Sequence, residues 1–151
     1  MIRVVADEAE MLALGQLIAS QFRAGDLILL DGPLGAGKTT LVRGIGIGLA
    51  VETPVTSPTF VISREHKGEL PLIHVDAYRL LGAAEGAAAA LDDLDLDSQR
   101  ASAVTVMEWG KDIGPRMSDE FLLVRIERRE DERREVFFEF HGARWKEFQL
   151  Q

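Results

Sequence analysis

The amino-acid sequence predicts a three-layer α/β/α fold with a mainly parallel sheet and an antiparallel hairpin near its C-terminus. Three observations support this prediction. Continuous apolar runs such as Leu27–Leu30 are typical of strands that are buried on both faces of a sheet. Segments with helical spacing of apolar residues alternate with these runs, as they do in βα units. Two further strand-like runs, Phe121–Glu127 and Glu135–Phe140, are separated only by a charged turn and therefore predict a hairpin.

The first part of the chain predicts an edge strand and then a helix. Ile2–Val5 is a short apolar run, and Asp7–Phe22 carries apolar residues at helical spacing. Asp7, followed by Glu10 three residues later, is the pattern of a helix N-cap with a supporting carboxylate. The helix is therefore expected to begin at Asp7.

A second helix is expected over Lys38–Leu49, although its sequence is unfavourable for an isolated helix. Gly44, Gly46 and Gly48 each weaken it by about 1 kcal/mol relative to alanine, so tertiary packing has to hold it. Further elements are predicted as strands at Thr59–Ser63, Leu72–Val75 and Val104–Met107, a helix at Leu80–Leu91, and a tail at Arg144–Gln151.

Length, charge and composition exclude several classes of protein. The chain has 151 residues without an internal repeat or linker, which predicts a single domain over residues 1–151. It has no cysteine, which excludes disulfides and cysteine-ligated zinc. The net charge of −8 disfavours electrostatic binding of nucleic acid over a broad surface. Because no apolar run approaches bilayer length and Met1–Glu10 lacks signal-peptide features, we expect a cytoplasmic protein without membrane contact.

The clearest motif is the segment Gly32-Pro33-Leu34-Gly35-Ala36-Gly37-Lys38-Thr39, which follows a predicted strand and precedes a predicted helix. This is the Walker A pattern of a P-loop NTPase. Backbone N–H groups of such a turn and the positive end of the helix meet the triphosphate oxygens. The Lys38 ammonium reaches the β- and γ-phosphates, and the Thr39 hydroxyl is placed to ligate magnesium. The predicted nucleotide-binding residues are Gly32, Gly35, Ala36, Gly37, Lys38, Thr39 and Thr40.

Two acidic residues, Asp76 and Glu108, each close a strand-like apolar run. The carboxyl ends of parallel strands line the ligand crevice, so both acids are candidates for the metal shell and for positioning the attacking water. Which acid takes which task is left open. His74 is equally consistent with a structural and a catalytic role, and Trp109 with core packing and with a nucleotide or partner contact.

The segment Thr56-Ser57-Pro58-Thr59 lies between the Walker helix and the next predicted strand. Switch loops of P-loop proteins occupy this place and supply a hydroxyl to the metal or the γ-phosphate. Ser57 and Thr59 are therefore the candidate switch-loop residues.

Together these motifs resemble the bacterial TsaE (YjeE) family of the tRNA threonylcarbamoyladenosine (t6A) pathway. The resemblance covers about residues 1–142. The segments that carry it are Gly-Pro-Leu-Gly-Ala-Gly-Lys-Thr-Thr-Leu at 32–41, Thr-Ser-Pro-Thr-Phe at 56–60, His-Val-Asp-Ala-Tyr-Arg-Leu at 74–80 and Val-Met-Glu-Trp-Gly at 106–110. Walker A alone is generic, whereas the His-x-Asp-x-Tyr-Arg-Leu segment followed by Glu-Trp is far more specific.

The resemblance implies a weak ATPase that uses ATP and Mg²⁺ and works with the TsaB–TsaD pair. That pair installs the threonylcarbamoyl group on N6 of adenosine 37 in tRNA, so this chain would meet tRNA only indirectly. Family members often carry threonine near the adenine in the first helix, where Met11 stands here. The implied site residues are Lys38 and Thr39 for phosphate and magnesium, Ser57 and Thr59 in the switch loop, Asp76 and Glu108 for metal and water, and Tyr78, Arg79 and Trp109 near the nucleotide or the partner.

Other functions remain open on the residues alone. A P-loop small-molecule kinase would need an arginine-bearing lid, for which Arg128–Arg134 is a candidate, although a hairpin turn is the more natural interpretation of that segment. A non-hydrolysing nucleotide-binding module would have the same motifs. A GTPase is disfavoured because the chain contains no asparagine for an Asn-Lys-x-Asp segment, and no Asp-x-x-Gly follows the switch region.

Overall fold

The structure is a computed structural model, and it describes residues 1–55, 63–76, 99–109 and 114–150. The helices of these residues are α1 (Glu8–Ala19) and α2 (Lys38–Gly48). The strands are β1 (Ile2–Val5), β2 (Leu27–Asp31), β3 (Ser63–His66), β4 (Leu72–Asp76), β5 (Val104–Glu108), β6 (Phe121–Arg128) and β7 (Arg134–His141).

All seven strands belong to one mixed sheet with the order β1-β7-β6-β2-β5-β4-β3. Its centre, β6-β2-β5-β4, is parallel. The pairs β1–β7, β6–β7 and β3–β4 are antiparallel. The predicted α/β fold with a parallel core, an N-terminal edge strand and an antiparallel C-terminal hairpin is therefore confirmed.

Both helices pack on one face of the sheet, where they share a core with alternate strand residues. Ile18 of α1 and Ile45 of α2 are completely buried there together with Leu30 and Val106. Alternate residues such as Leu29 form the core of the opposite face. The helix predicted over Leu80–Leu91 lies outside the described residues.

The glycines of α2 are explained by the close approach of α1. A Cβ atom at Gly44 would stand 2.2 Å from the carbonyl oxygen of Leu12, and one at Gly15 would stand 2.4 Å from that of Leu41. Only glycine lets the two backbones come this near. The expectation that packing holds α2 is therefore confirmed.

The start of α1 is confirmed and its predicted end is wrong. Asp7 is the N-cap and accepts a hydrogen bond from the Glu10 amide at 2.9 Å, while the Glu10 carboxylate accepts from the Ala6 amide at 2.7 Å. The helix ends at Ala19 rather than Phe22. Phe22 does not continue the helix. The apolar residue at this position is explained by its packing against Trp145, with 6.2 Å between the ring centroids.

The predicted C-terminal tail is also wrong. Residues Ala143–Trp145 form a 3₁₀ turn, and the side chains of Trp145 and Phe148 are buried. Arg144 reaches back to Asp26 with two hydrogen bonds of 2.7 Å each. The last residues therefore belong to the core on the α1 side.

Strand β3 begins at Ser63, where the predicted strand ended, and runs to His66. Residues 59–62 of that predicted strand lie outside the described residues. Among the helices in the described residues, none has the length and apolar character needed to span a bilayer.

Candidate nucleotide-binding site

The glycine-rich turn joins the end of β2 to the start of α2, as the motif predicts. Gly32, Gly35 and Gly37 have positive φ angles of 151°, 77° and 108°, a region that side chains rarely adopt. A Cβ atom on Gly32 would also stand 2.7 Å from the carbonyl oxygen of Ile126 in β6. Because Gly37 is the N-cap of α2, the positive end of that helix lies at this turn.

A cavity of about 480 Å³ lies beside the turn, within the usual size range of small-molecule sites. It brings together segments that are distant in sequence: the β1–α1 connection, the glycine-rich turn, the ends of β4 and β5, and the β6–β7 hairpin. The predicted residues that line it are Gly35, Ala36, Gly37, Lys38, Thr39, Thr40, Asp76, Glu108 and Trp109.

Lys38 lies at the centre of the cavity wall with its side chain largely buried. Its ammonium donates hydrogen bonds to the carbonyl oxygens of Gly32 and Pro33. Burial lowers the pKa of Lys38, whereas the negative charges of Glu108, Asp31 and Asp76 act in the opposite direction. Phosphate oxygens are better partners for this cation than the two carbonyl groups that it contacts here.

Trp109 lies over the Lys38 ammonium, which is 3.8 Å from the centroid of the ring. The tryptophan has a φ angle of +61°, unusual for a bulky residue, and its amide donates to the carbonyl of Leu30 at 2.9 Å. Strained backbone of this kind concentrates at functional sites. Trp109 lines the cavity and also packs, partly buried, against the core of the opposite sheet face, so both interpretations of this residue stay predictions.

The two strand-end acids lie side by side, because Asp76 and Glu108 are paired in the parallel β4–β5 register. Glu108 is buried, and its Oε1 atom is 3.4 Å from the Thr39 hydroxyl. Its Oε2 atom accepts a hydrogen bond from Nε2 of His74. The parallel register therefore places a hydroxyl and two carboxylates at the start of α2, where the sequence predicted them.

These oxygen atoms fit a magnesium ion that is shared with a nucleotide. The described residues contain no cluster of three or more histidine or acidic side chains that could hold a metal by themselves. Mg²⁺ usually binds through one or two protein oxygens together with substrate phosphates and water, and does not need such a cluster. The Thr39 hydroxyl and the Glu108 carboxylate supply that kind of partial shell.

His74 is completely buried, and its contact with Glu108 gives it a place in the site. Its Nδ1 atom has no hydrogen-bond partner among the described residues. Residues 74 and 76 point to the same face of the sheet because strand side chains alternate. This periodicity is the sequence signal that links His74 to the two acids.

Six residues that line the cavity were not among the predicted site residues: Ala6, Asp7, Glu8, Leu34, Glu132 and Arg134. Met11 also lines the cavity, and its side chain lies against Gly37. The sequence marked Arg128–Arg134 only as a candidate lid, and it gives no sign that Glu132 and Arg134 reach the turn, because this depends on the β6–β7 hairpin. The segment considered as a kinase lid is this hairpin turn.

Four predicted site residues lie outside the described residues: Ser57, Thr59, Tyr78 and Arg79. Their predicted roles in the switch loop and at the nucleotide or partner surface stay predictions.

A glycine-rich turn between a central parallel strand and a helix that begins with Lys38 and Thr39 defines a P-loop protein of the NTPase type. Residues 5–136 match the family described as Threonylcarbamoyl adenosine biosynthesis protein TsaE. The chain therefore belongs to the TsaE family.

Individual relatives agree with this assignment. The chain is 46% identical to the tRNA threonylcarbamoyladenosine biosynthesis protein TsaE of Streptomyces coelicolor, over 89% of this chain and 93% of the relative. It is 37% identical to the protein of the same name from Bacillus subtilis, over 91% of this chain and 84% of the relative. The crystal structure of Bacillus subtilis YdiB superposes with a TM-score of 0.77 at 31% identity, and the match covers 97% of this chain and 88% of that one.

Proposed function

We propose that this protein binds ATP with Mg²⁺ in the cavity beside α2, hydrolyses it, and acts in the t6A modification of tRNA. The observation that carries the proposal is the convergence of Lys38, Thr39 and Glu108 at the start of α2. The pathway comes from the family and from the names of its members.

In this proposal the residues of the cavity have separate tasks. The backbone amides of the turn hold the phosphates, and the Lys38 ammonium exchanges its carbonyl partners for the β- and γ-phosphate oxygens. Thr39 and Glu108 would hold the magnesium ion, which would supply positive charge to stabilise the transferred phosphoryl group. Asp76, next to Glu108 in the register, orients the attacking water.

The proposed partners are TsaB and TsaD, and tRNA is met only through them. A P-loop domain of this size has little surface with which to close its own site, and partner-supplied groups complete the sites of other P-loop proteins. The acidic net charge of −8 argues against direct tRNA binding over a broad surface. We therefore propose slow ATP hydrolysis by the protein alone and faster hydrolysis with the TsaB–TsaD pair.

Equilibrium titration with a fluorescent ATP analogue tests the binding step. Lys38→Ala should abolish binding, because the ammonium makes the direct phosphate contact, and should leave the fold intact. Circular dichroism of the variant provides the folding control. Unchanged affinity in a folded Lys38→Ala protein would remove the central element of the proposal.

A phosphate-release assay with and without TsaB–TsaD tests hydrolysis and the partner, together with size-exclusion chromatography in ATP. Stimulation and a shared elution peak are expected. Binding without release would identify a non-hydrolysing module, and phosphoryl transfer to a panel of nucleosides and coenzymes would identify a kinase.

A further inference from the structure

The β6–β7 hairpin borders the phosphate-binding turn through two arginines. Arg128 and Arg134 are directly opposite each other at the end of the β6–β7 ladder. The Nε atom of Arg134 donates to the carbonyl oxygen of Ala36 at 3.2 Å. A guanidinium nitrogen of Arg128 stands 3.8 Å from the position that a Cβ atom on Gly35 would occupy. The hairpin therefore contacts the turn at residues 35 and 36.

The guanidinium of Arg134 is held in one orientation by its own hairpin. Its Nη1 atom donates to the carbonyl oxygens of Glu132 at 2.6 Å and Arg133 at 3.4 Å. Like charges directly opposite each other destabilise a β-ladder, so the Arg128–Arg134 pair is unfavourable for the hairpin alone. Pairing within the hairpin therefore does not by itself explain these two arginines beside the glycine-rich turn.

Peptide geometry gives the contact with Ala36 a consequence for the ligand. The Ala36 carbonyl and the Gly37 N–H belong to one planar trans peptide, so they point in opposite directions. Because the Ala36 carbonyl oxygen is hydrogen-bonded to Arg134, the Gly37 N–H points away from the hairpin. Gly37 is the N-cap of α2, and amides at a helix start lack intrahelical partners and meet bound phosphate.

We propose that Arg134 is a positioning residue for phosphate binding, because it fixes the orientation of the Ala36–Gly37 peptide. The inference rests on the proposed nucleotide binding and adds a specific prediction to it. In this proposal the Gly37 N–H meets the β-phosphate, so ADP and ATP should depend on Arg134 equally. AMP has no β-phosphate and should not depend on it.

Titration of the whole chain with ADP, ATP and AMP tests the proposal in three variants. Arg134→Ala should raise the Kd for ADP and for ATP roughly tenfold, as expected for the loss of a charge-assisted hydrogen bond. Arg134→Lys should restore part of the affinity, because an ammonium can still donate to the Ala36 carbonyl. The matched control is Arg133→Ala on the same turn, where the arginine contacts Asp131 and is largely exposed.

The outcomes separate this inference from the proposed function. Wild-type affinity for ADP in Arg134→Ala, or an equal loss in Arg133→Ala, would overturn the positioning role while nucleotide binding stands. An equal loss of AMP affinity would also overturn it, because the effect of Arg134 would then involve the base, the ribose or the α-phosphate that AMP shares with ADP. A wild-type protein that binds neither ADP nor ATP would overturn both. If Arg134→Ala does not fold, Arg134→Lys and Arg134→Gln replace it. The inference is then overturned if both variants bind ADP with wild-type affinity and keep the wild-type ratio of the Kd values for ADP and AMP.

Discussion

Nε2 of His74 and Oε2 of Glu108 are joined by a buried hydrogen bond, which leaves Oε1 of the same carboxylate 3.4 Å from the Thr39 hydroxyl. One carboxylate thus links β4, β5 and the first turn of α2. Because one oxygen is held by the histidine, the other is directed toward the position at which a metal and nucleotide would bind. A side-chain orientation fixed by a buried neighbour is the usual support for a metal ligand.

Glu108→Gln should therefore separate binding from turnover. Glutamine keeps the size of the side chain but removes the charge that would organise magnesium and water. We expect ATP still to bind and phosphate release to fall by at least about tenfold, or ~1.4 kcal/mol in the barrier. The matched control is Glu127→Gln in β6, where the acid is half exposed and far along the chain from the motifs. Normal turnover in Glu108→Gln would transfer the role to Asp76.

The parts of this site that sequence analysis found are those encoded by local patterns. The Walker segment is contiguous, and Asp76 and Glu108 each follow an apolar strand whose parallel pairing places them at one edge. Arg134 was not found, because its contact with Ala36 spans nearly a hundred residues and depends on the register of a hairpin. No periodic pattern of apolar residues in the sequence indicates such a contact.

The fold shows the same division between local and long-range information. Buried central strands such as Leu27–Asp31 were predicted almost to the residue, since continuous apolar runs mark them. The strand residues Arg64–His66 were missed because Arg64 and Glu65 are exposed and carry no apolar signal. The buried C-terminus was missed because Trp145 and Phe148 pack against Phe22, more than a hundred residues earlier in the chain, and no local pattern indicates such contacts.

Gly44→Ala should destabilise the protein although alanine is the better helix former. Helix propensity favours the substitution by about 1 kcal/mol. The added Cβ atom would stand 2.2 Å from the Leu12 carbonyl oxygen, which is backbone and cannot rotate away. Overpacking of this kind costs about 1–3 kcal/mol, so we expect a net loss in the free energy of unfolding, measured by urea titration. The control is Ile47→Ala on the exposed side of α2, which should change stability little; a more stable Gly44→Ala protein would contradict the tight crossing of the helices.

Arg144→Ala should cost about 3 kcal/mol of stability, because it leaves the Asp26 carboxylate buried without its guanidinium partner. The side chains of Arg144 and Asp26 are only 16% and 4% exposed, and two hydrogen bonds of 2.7 Å join them. Arg23→Ala is the matched control, since Arg23 pairs with Glu147 at 3.8 Å with both side chains mostly exposed. That pair should contribute less than about 1 kcal/mol. Similar losses in both variants would show that the C-terminal residues are not held by the Arg144 ion pair.

His66 should make the stability of the protein decrease as the pH falls below about 6.5. Burial lowers the pKa of His66 from its ordinary value of 6.5, and the nearby His74 and Arg64 add to the effect. Below that value the unfolded chain takes up a proton that the folded protein resists, so unfolding becomes easier. The contribution of neutral His66 to the free energy of unfolding is fully present above pH 6.5 and is lost as the pH falls toward the lower pKa of the folded state. The loss is no more than about 1.4 kcal/mol per pH unit.

Urea unfolding at several pH values between about 5.5 and 7 measures this effect. His66→Gln should flatten the dependence, even if it lowers stability at every pH through loss of the hydrogen bond to Thr53. His141→Gln is the control, because that histidine is exposed on β7 and stacks on Phe121. An unchanged slope in His66→Gln would assign the pH dependence to other groups.

Trp109 should report nucleotide binding through its fluorescence. Its ring lies 3.8 Å from the Lys38 ammonium, and nucleotide phosphates would draw that ammonium away from the ring. The chain has two tryptophans, and the other, Trp145, is buried among Phe22 and Phe148 in the C-terminal core. We therefore expect an ADP-dependent change in emission that comes from Trp109 alone.

Two single substitutions assign that signal. Trp145→Phe should keep a saturable change in emission with the wild-type Kd, whereas Trp109→Phe should show none while still binding a fluorescent ADP analogue. A change that persists in Trp109→Phe would show that nucleotide binding alters the distant aromatic core instead. In the alternative outcome, the emission of Trp145→Phe changes with ADP only after TsaB and TsaD are added. That result would place the Trp109 ring at the partner surface, because the Lys38 ammonium would then leave the ring only in the assembled complex. Since both variants keep Lys38 and Glu108, a difference between them can be attributed to the position of the indole ring and not to loss of the phosphate contacts.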